Sequence, residues 1–201
     1  MAGVNLYEAL TTLDGSGAIQ PLLSESWSTS EDGLTWTFKL KKGATFQDGS
    51  PVEAKDVVWS VNRLLAINEG PAYLFEGVLS EGSVTEIDSS SVQFKLEKTY
   101  APFLTTTPIL FVVNSDLAKE NAGDGDPWAQ DYVANNSIGA GAFYLDSWER
   151  GAGMTIKAYE GYHLGWSDTG IDEVRFVVTN EEATVKALAA SGELSMSSDA
   201  Q

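Results

Sequence analysis

The chain has 201 residues, 43% hydrophobic and 10% aromatic, with 12 basic against 29 acidic side chains and a formal charge of −17. That apolar content excludes wholesale disorder. The twelve basic residues are scattered, with Lys41-Lys42 as their only adjacent pair, which excludes the clustered cationic surface that nucleic acid or an anionic membrane requires.

The start Met1-Ala2-Gly3-Val4-Asn5 lacks the basic n-region and apolar middle of a signal peptide, so on its own it predicts a cytosolic chain or a processed or trimmed one. Asp14-Gly15-Ser16-Gly17 reads as an exposed turn. In Leu34-Thr35-Trp36-Thr37-Phe38-Lys39-Leu40 the period-two alternation predicts a strand with Leu34, Trp36, Phe38 and Leu40 on one face. Ser50-Pro51-Val52-Glu53 has the form of a capping box, with Ser50 as N-cap and Pro51 at the first helical position. The helix predicted from Pro51 to about Ala66 places Val57, Val58, Val61, Leu64 and Leu65 on one face and stops before Glu69-Gly70-Pro71.

Val84-Thr85-Glu86-Ile87 and Val92-Gln93-Phe94-Lys95-Leu96 flank Asp88-Ser89-Ser90-Ser91 and predict a hairpin. Pro108-Ile109-Leu110-Phe111-Val112-Val113, the longest apolar run, is strand-sized and far short of the roughly 18 residues that span a membrane. Short helices are expected at Ala101-Pro102-Phe103-Leu104 and after Asp126, with Asp126 as cap. Phe143-Tyr144-Leu145, Met154-Thr155-Ile156-Lys157 and Val174-Arg175-Phe176-Val177-Val178 read as strands, and Glu181 to Ser191 as a helix capped by Asn180 and stopped by Gly192. These later strands carry apolar runs, which predicts a sheet more buried than the hairpin region. Two subdomains follow from this texture.

The absence of cysteine removes thiol chemistry and disulfides. His163 is the only histidine; with no second nitrogen ligand and no Gly-x-Ser-x-Gly elbow it reads as a surface or half-buried residue, neither catalytic nor metal-binding. Gly139-Ala140-Gly141 lacks the remainder of a dinucleotide fingerprint and reads as a tight turn. Asp124-Gly125-Asp126 opens like a calcium loop, but Trp128 stands where an oxygen ligand belongs. No two carboxylates share an apolar setting, so no catalytic residue, metal or cofactor is assigned. Trp36 and Trp59 fall in core patterns, leaving the loop-placed tryptophans as candidate ligand platforms.

Leu22-Leu23-Ser24-Glu25-Ser26-Trp27, Asp32-Gly33-Leu34-Thr35-Trp36-Thr37-Phe38-Lys39-Leu40-Lys41-Lys42-Gly43 and Phe46-Gln47-Asp48-Gly49-Ser50-Pro51-Val52-Glu53-Ala54-Lys55-Asp56-Val57-Val58-Trp59-Ser60 resemble, in order and spacing, the family 5 extracellular solute-binding proteins, the peptide and nickel receptors of ABC importers. Ile138-Gly139-Ala140-Gly141-Ala142-Phe143-Tyr144, Tyr159-Glu160-Gly161-Tyr162 and Ala189-Ala190-Ser191-Gly192-Glu193-Leu194 continue the resemblance, with Ala140, Ala142 and Ser195 departing from the family's usual threonine, proline and aspartate. The resemblance implies an α/β (α+β mixed) fold of the type II periplasmic-binding kind, first lobe only. Residues 1–21 would begin the lobe's sheet domain, 22–134 would form the family's extra α+β subdomain, and 135–201 would return to the sheet domain.

It further implies a non-enzymatic, extracytoplasmic receptor that captures a peptide-like solute between two lobes and delivers it to membrane permease subunits. A free-standing lobe that dimerises or binds a partner protein is the alternative. The family's charged anchors for a peptide lie largely in the second lobe, so none is carried over. Asn5 and Tyr7, with Gly70, Pro71 and Tyr73, are expected at the cleft rim, a plain helix-terminating turn being the other reading of the second group. This chain alone should bind solute weakly, and its apolar face should promote self-association against the charge of −17.

Overall fold

The computed structural model describes residues 3–167, 170–179 and 181–196. A short helix α1 (Gly3–Leu6) leads into β1 (Glu8–Ala9), and β2 (Thr11–Leu13) pairs antiparallel with β3 (Ile19–Pro21) around the exposed Asp14 turn. The Asp14 carboxylate accepts from the Ser16 hydroxyl and the backbone N–H groups of Ser16 and Ala18. With Gln20 adding a fourth donor, these bonds hold its pKa down at about 2.

The central element is a four-stranded antiparallel sheet of order β4 (Ser24–Thr29), β5 (Thr35–Leu40), β7 (Ser91–Lys95) and β6 (Val84–Asp88). The expected alternation holds: Phe38 and Leu40 are buried, and Leu34 and Trp36 are half-buried on the same core. The hairpin is present as β6 and β7. Helix α2 (Ala54–Ile67) packs across β6 and β7, adding Val57 and Val61. The Phe38 and Phe94 rings meet edge-on at 5.4 Å, and Phe103 of α3 (Phe103–Thr106) lies 5.5 Å beyond Phe94. Full burial of each such side chain contributes roughly 1.5–3 kcal/mol. Leu10 and Ala140 belong to the same core, so segments before residue 22 and after residue 134 close over this sheet.

Helix α2 starts three residues later than Ser50-Pro51 predicts. Residues 50–52 are extended instead, with Pro51 bridged to Thr45 and the Val52 N–H bonded to Ala44. Ser50 is not the N-cap. Its N–H and hydroxyl both donate to Asp48 Oδ1 at 2.9 and 2.6 Å. Glu53 is the N-cap, and Asp56 Oδ2 reaches back to accept the Glu53 N–H at 2.9 Å. The other Asp56 oxygen accepts the Ser115 N–H at 3.0 Å, tying α2 to α4 (Ser115–Glu120). Burial pushes the Asp56 carboxyl above the usual carboxylate range, against the pull of these two donors. Asn68, left-handed at φ 53°, ends α2, and residues 70–75 form a 3-10 turn.

Strand β8 (Phe111–Val112) pairs with β1. The helix expected after Asp126 begins at Gln130 with Ala129, not Asp126, as its N-cap; the Asp126 carboxylate still accepts from the N–H groups of Gln130 and Asp131 in α5 (Gln130–Val133). The late strands β9 (Phe143–Glu149), β10 (Gly153–Ala158) and β11 (Glu173–Val177) form an antiparallel sheet of order β11-β10-β9. Contrary to expectation this sheet is the less buried one. Only Ile156 among its residues is buried, and Val177 is 67% exposed, because an apolar run fixes burial only where a second layer covers both faces. Helix α6 (Glu182–Ser191) ends at Gly192 with φ 78°, as expected, whereas the expected cap Asn180 lies outside the described residues.

Candidate functional site

Three segments meet at the edge of the molecule: α1 with β1, residues 137–143, and the loop after β10. Gly139 and Gly141 are needed here for close approach. Neither has a positive φ, so the need for glycine is steric: a Cβ would come within 2.1 Å of the Leu6 carbonyl oxygen at Gly139 and 2.3 Å of the Asn5 carbonyl oxygen at Gly141. Gln47 completes the junction. Its Nε2 donates to the Leu6 carbonyl at 2.8 Å and the Phe143 carbonyl at 2.6 Å, and its Oε1 accepts from the Ser137 hydroxyl.

Beside this junction lies Glu8, buried on β1. The Tyr162 hydroxyl donates to its Oε1 at 2.6 Å, and His163 Nε2 lies 2.6 Å from its Oε2, the two side chains of the His–Glu pair being 4% and 5% exposed. Burial, then the Glu8 carboxylate, pushes the Tyr162 phenol well up, so Tyr162 stays a neutral donor. His163 is half-buried, one of the two expected placements, with its side chain enclosed against Glu8. Both carboxylate oxygens are engaged, so the cluster anchors the 159–166 loop to β1. Trp166 extends it, its Nε1 donating to the Tyr159 carbonyl at 2.7 Å and its ring meeting Phe143 edge-on at 5.3 Å.

Of the expected rim residues, Asn5 sits in α1, half-buried, its carbonyl against Gly141. Tyr7 is also half-buried. Its hydroxyl donates to the Asn136 carbonyl at 3.1 Å, its ring lies 6.3 Å from Phe111, and burial pushes its phenol up. Gly70, with φ 56°, and Pro71 open the 3-10 turn beyond α2, where Tyr73 is 70% exposed. The bonds and ring contacts of Tyr7 thus run to the 111 and 136 segments and not to residues 70–73.

Among the loop tryptophans, Trp128 packs on Trp59 at 5.6 Å, and Arg63 Nε donates to its carbonyl. Trp148 lies in β9 under the Arg150 guanidinium, 4.3 Å from the ring centre. A groove of about 310 Å³ opens there, lined by Asn135, Asn136, Ser137, Asp146, Trp148 and Arg150, and it contains none of the rim residues. No group of three or more His, Cys, Asp or Glu able to hold a metal occurs among the described residues.

Residues 18–201 match the family described as "Bacterial extracellular solute-binding proteins, family 5 Middle". The chain belongs to this family. A family 5 relative, the "Probable D,D-dipeptide-binding periplasmic protein DdpA" of Escherichia coli K12, is 38% identical over 144 residues, which cover 71% of this chain and 27% of that protein. The "Dipeptide-binding protein" of the same organism is 31% identical, covering 89% and 36%. The substrate-binding domain of an oligopeptide ABC transporter from Bacillus anthracis superimposes with a TM-score of 0.80 at 28% identity over 94% of this chain and 39% of that one. NikZ from Campylobacter jejuni, solved with Ni(L-His), reaches a TM-score of 0.81 at 22% identity, covers 95% and 37%, and shows likeness of fold alone. The fold is thus the mixed α/β architecture of type II periplasmic binding proteins, and the family 5 chain spans about a third of the length of these relatives.

The Glu8–His163 contact was missed by the sequence reading, for a physical reason: its partners are 155 residues apart. The available signal was an acid enclosed by apolar neighbours in Leu6-Tyr7-Glu8-Ala9-Leu10, which demands a buried donor.

Proposed function

We propose that this chain forms part of the substrate-capturing receptor of an ABC importer, acting outside the cytoplasm on a peptide or similar small solute and handing it to membrane permease subunits. The observation that carries the reading is the family match across residues 18–201, and the dipeptide- and oligopeptide-binding names of relatives support the solute class. No reaction is assigned to it. The buried Glu8 cluster, with both carboxylate oxygens engaged by protein donors, suits a positioning role.

In this reading residues 22–134 are the extra subdomain and 1–21 with 135–201 belong to the sheet domain. Asn5, Tyr7, Gly70, Pro71 and Tyr73 are the proposed rim. Receptors of this kind gain affinity by enclosing the ligand, and a charge pair left in water at 4 Å keeps only about 1 kcal/mol of the roughly 4 it has at intermediate dielectric.

Calorimetric titration of the natural gene product with di- to pentapeptides and with nickel tests the proposal, with the 201-residue chain titrated alongside. Micromolar or tighter peptide binding by the gene product is expected, with weaker binding by this chain. A gene product that binds none of these ligands overturns the peptide assignment. Micromolar binding by this chain would place the whole site within these residues.

A further inference from the structure

Four aspartates of this chain directly precede glycine: Asp14, Asp32, Asp48 and Asp124. Glycine has no Cβ to shield its backbone nitrogen, so each pair can bring the carboxyl carbon against the nitrogen of the next residue. The fold restrains three of the four. Asp14 accepts from Ser16, Ala18 and Gln20, and Asp32 accepts from the Ser30 hydroxyl and from the Leu34 N–H at 3.0 Å. Asp48 accepts from Ser50 and, through its second oxygen, from Asn114 Nδ2 at 2.8 Å. The N–H groups of Gly33 and Gly49 are bonded as well, to the Ser30 and Phe46 carbonyls.

Asp124 has no such restraint. Gly123 and Asp126 exchange two backbone bonds, at 3.1 and 2.9 Å, closing a turn with Asp124 and Gly125 at its exposed corner. Among the described residues no donor engages the Asp124 carboxylate and no backbone acceptor takes the Gly125 N–H. A Cβ on Gly123 or Gly125 would meet nothing within 4 Å beyond its chain neighbours, so the corner has room to change shape. The turn also seats α5, since the Asp126 carboxylate accepts the Gln130 and Asp131 N–H groups at 2.8 and 2.9 Å and the Asp126 carbonyl accepts the Ala129 N–H.

We infer that Asp124 is a self-modification site, which converts spontaneously to isoaspartate faster than the other three Asp-Gly pairs. The Gly125 nitrogen bonds to Asp124 Cγ, and one carboxyl oxygen leaves as water with its own proton and the amide proton, closing a succinimide ring. Water then reopens the ring. Attack at the Asp124 main-chain carbonyl carbon breaks its bond to nitrogen and leaves isoaspartate, whereas attack at Cγ regenerates aspartate. The bonds at Asp14 and Asp32 also hold those carboxyls below the usual range, so the neutral form that loses water is rarer there. Isoaspartate adds a main-chain carbon to the corner, which the paired bonds between Gly123 and Asp126 do not fit, and so moves Asp126 relative to α5. The groups involved lie within residues 123–131, and the inference is independent of the solute-binding reading.

Incubation of the folded natural gene product at neutral pH, below its melting transition, decides it, with isoaspartate located by electron-transfer mass spectrometry. Conversion at Asp124 is expected to run at least about tenfold faster than at Asp14, Asp32 or Asp48, whose carboxylate bonds must first break. In concentrated urea the four rates should converge. Gly125→Ala, which meets no steric conflict, should slow conversion at Asp124 alone and remove the succinimide intermediate, lighter by one water. Equal rates at the four sites in the folded protein overturn the inference, as does a folded protein with no conversion at Asp124. A lead for Asp124 that persists in urea overturns it too, because its sequence neighbours and not the fold would then set the rate.

Discussion

The β4-β5-β7-β6 sheet and the β9-β10-β11 sheet are both antiparallel and both rich in β-branched and aromatic residues, yet they hold together differently. In the first, α2 lies across the strands and the rings of Phe38, Phe94 and Phe103 interlock beneath it. In the second, Ile156 is the one buried residue, and the sheet is fastened to the rest by point contacts: Gln47 to the Phe143 carbonyl, and Glu8 to Tyr162 and His163. Apolar content does not by itself make a core. A covering layer does, and where it is lacking polar clasps take over its positioning role.

The comparison can be broken most severely at Phe94. Phe94→Ala empties the centre of the first sheet and should cost about 3–5 kcal/mol, while Val177→Ala in β11 should cost less than about 0.5 kcal/mol. Urea denaturation monitored by tryptophan fluorescence measures both, and similar losses would erase the distinction. The clasp comes next. His163→Ala leaves the buried Glu8 carboxylate with Tyr162 as its remaining side-chain donor and should cost about 2 kcal/mol. Hydrogen exchange should show protection lost in residues 159–166 and not in β5 or β7; loss spread evenly through both sheets would mean that the two regions behave as one.

The smallest effect separates Asp56, which closes the start of α2, from Ser50, which lies outside it. Asp56→Ala should destabilise by about 1 kcal/mol, since relief of carboxylate burial offsets part of the lost bonds to the Glu53 and Ser115 N–H groups. Ser50→Ala, outside the helix, should change the melting temperature less than Asp56→Ala does. The reverse order would restore Ser50 as the cap.

The same contrast explains what could be read in advance. The β5 alternation, the β6–β7 hairpin and the apolar face of α2 were legible because local periodicity encodes them. The start of α2 was misplaced because Ser50-Pro51-Val52-Glu53 spells the commoner capping box, while the bonds of Glu53 and Asp56 set the actual boundary. The burial of the last sheet was misjudged because strand composition does not reveal what lies above it. Nothing local in Glu8 or His163 encodes their meeting, and the roles of Gly139 and Gly141 depend on backbone arriving from residues 5 and 6.

The span between Glu8 and His163 also sets a schedule. As the polypeptide is synthesised, Glu8 emerges first and its imidazole partner follows 155 residues later, a delay of roughly 8 to 30 s at about 5–20 residues per second. Through that interval the first sheet and α2 can fold from sequence already made, while the Glu8 carboxylate keeps its water. Strand β1 is thus translated well before the loop that locks it in place.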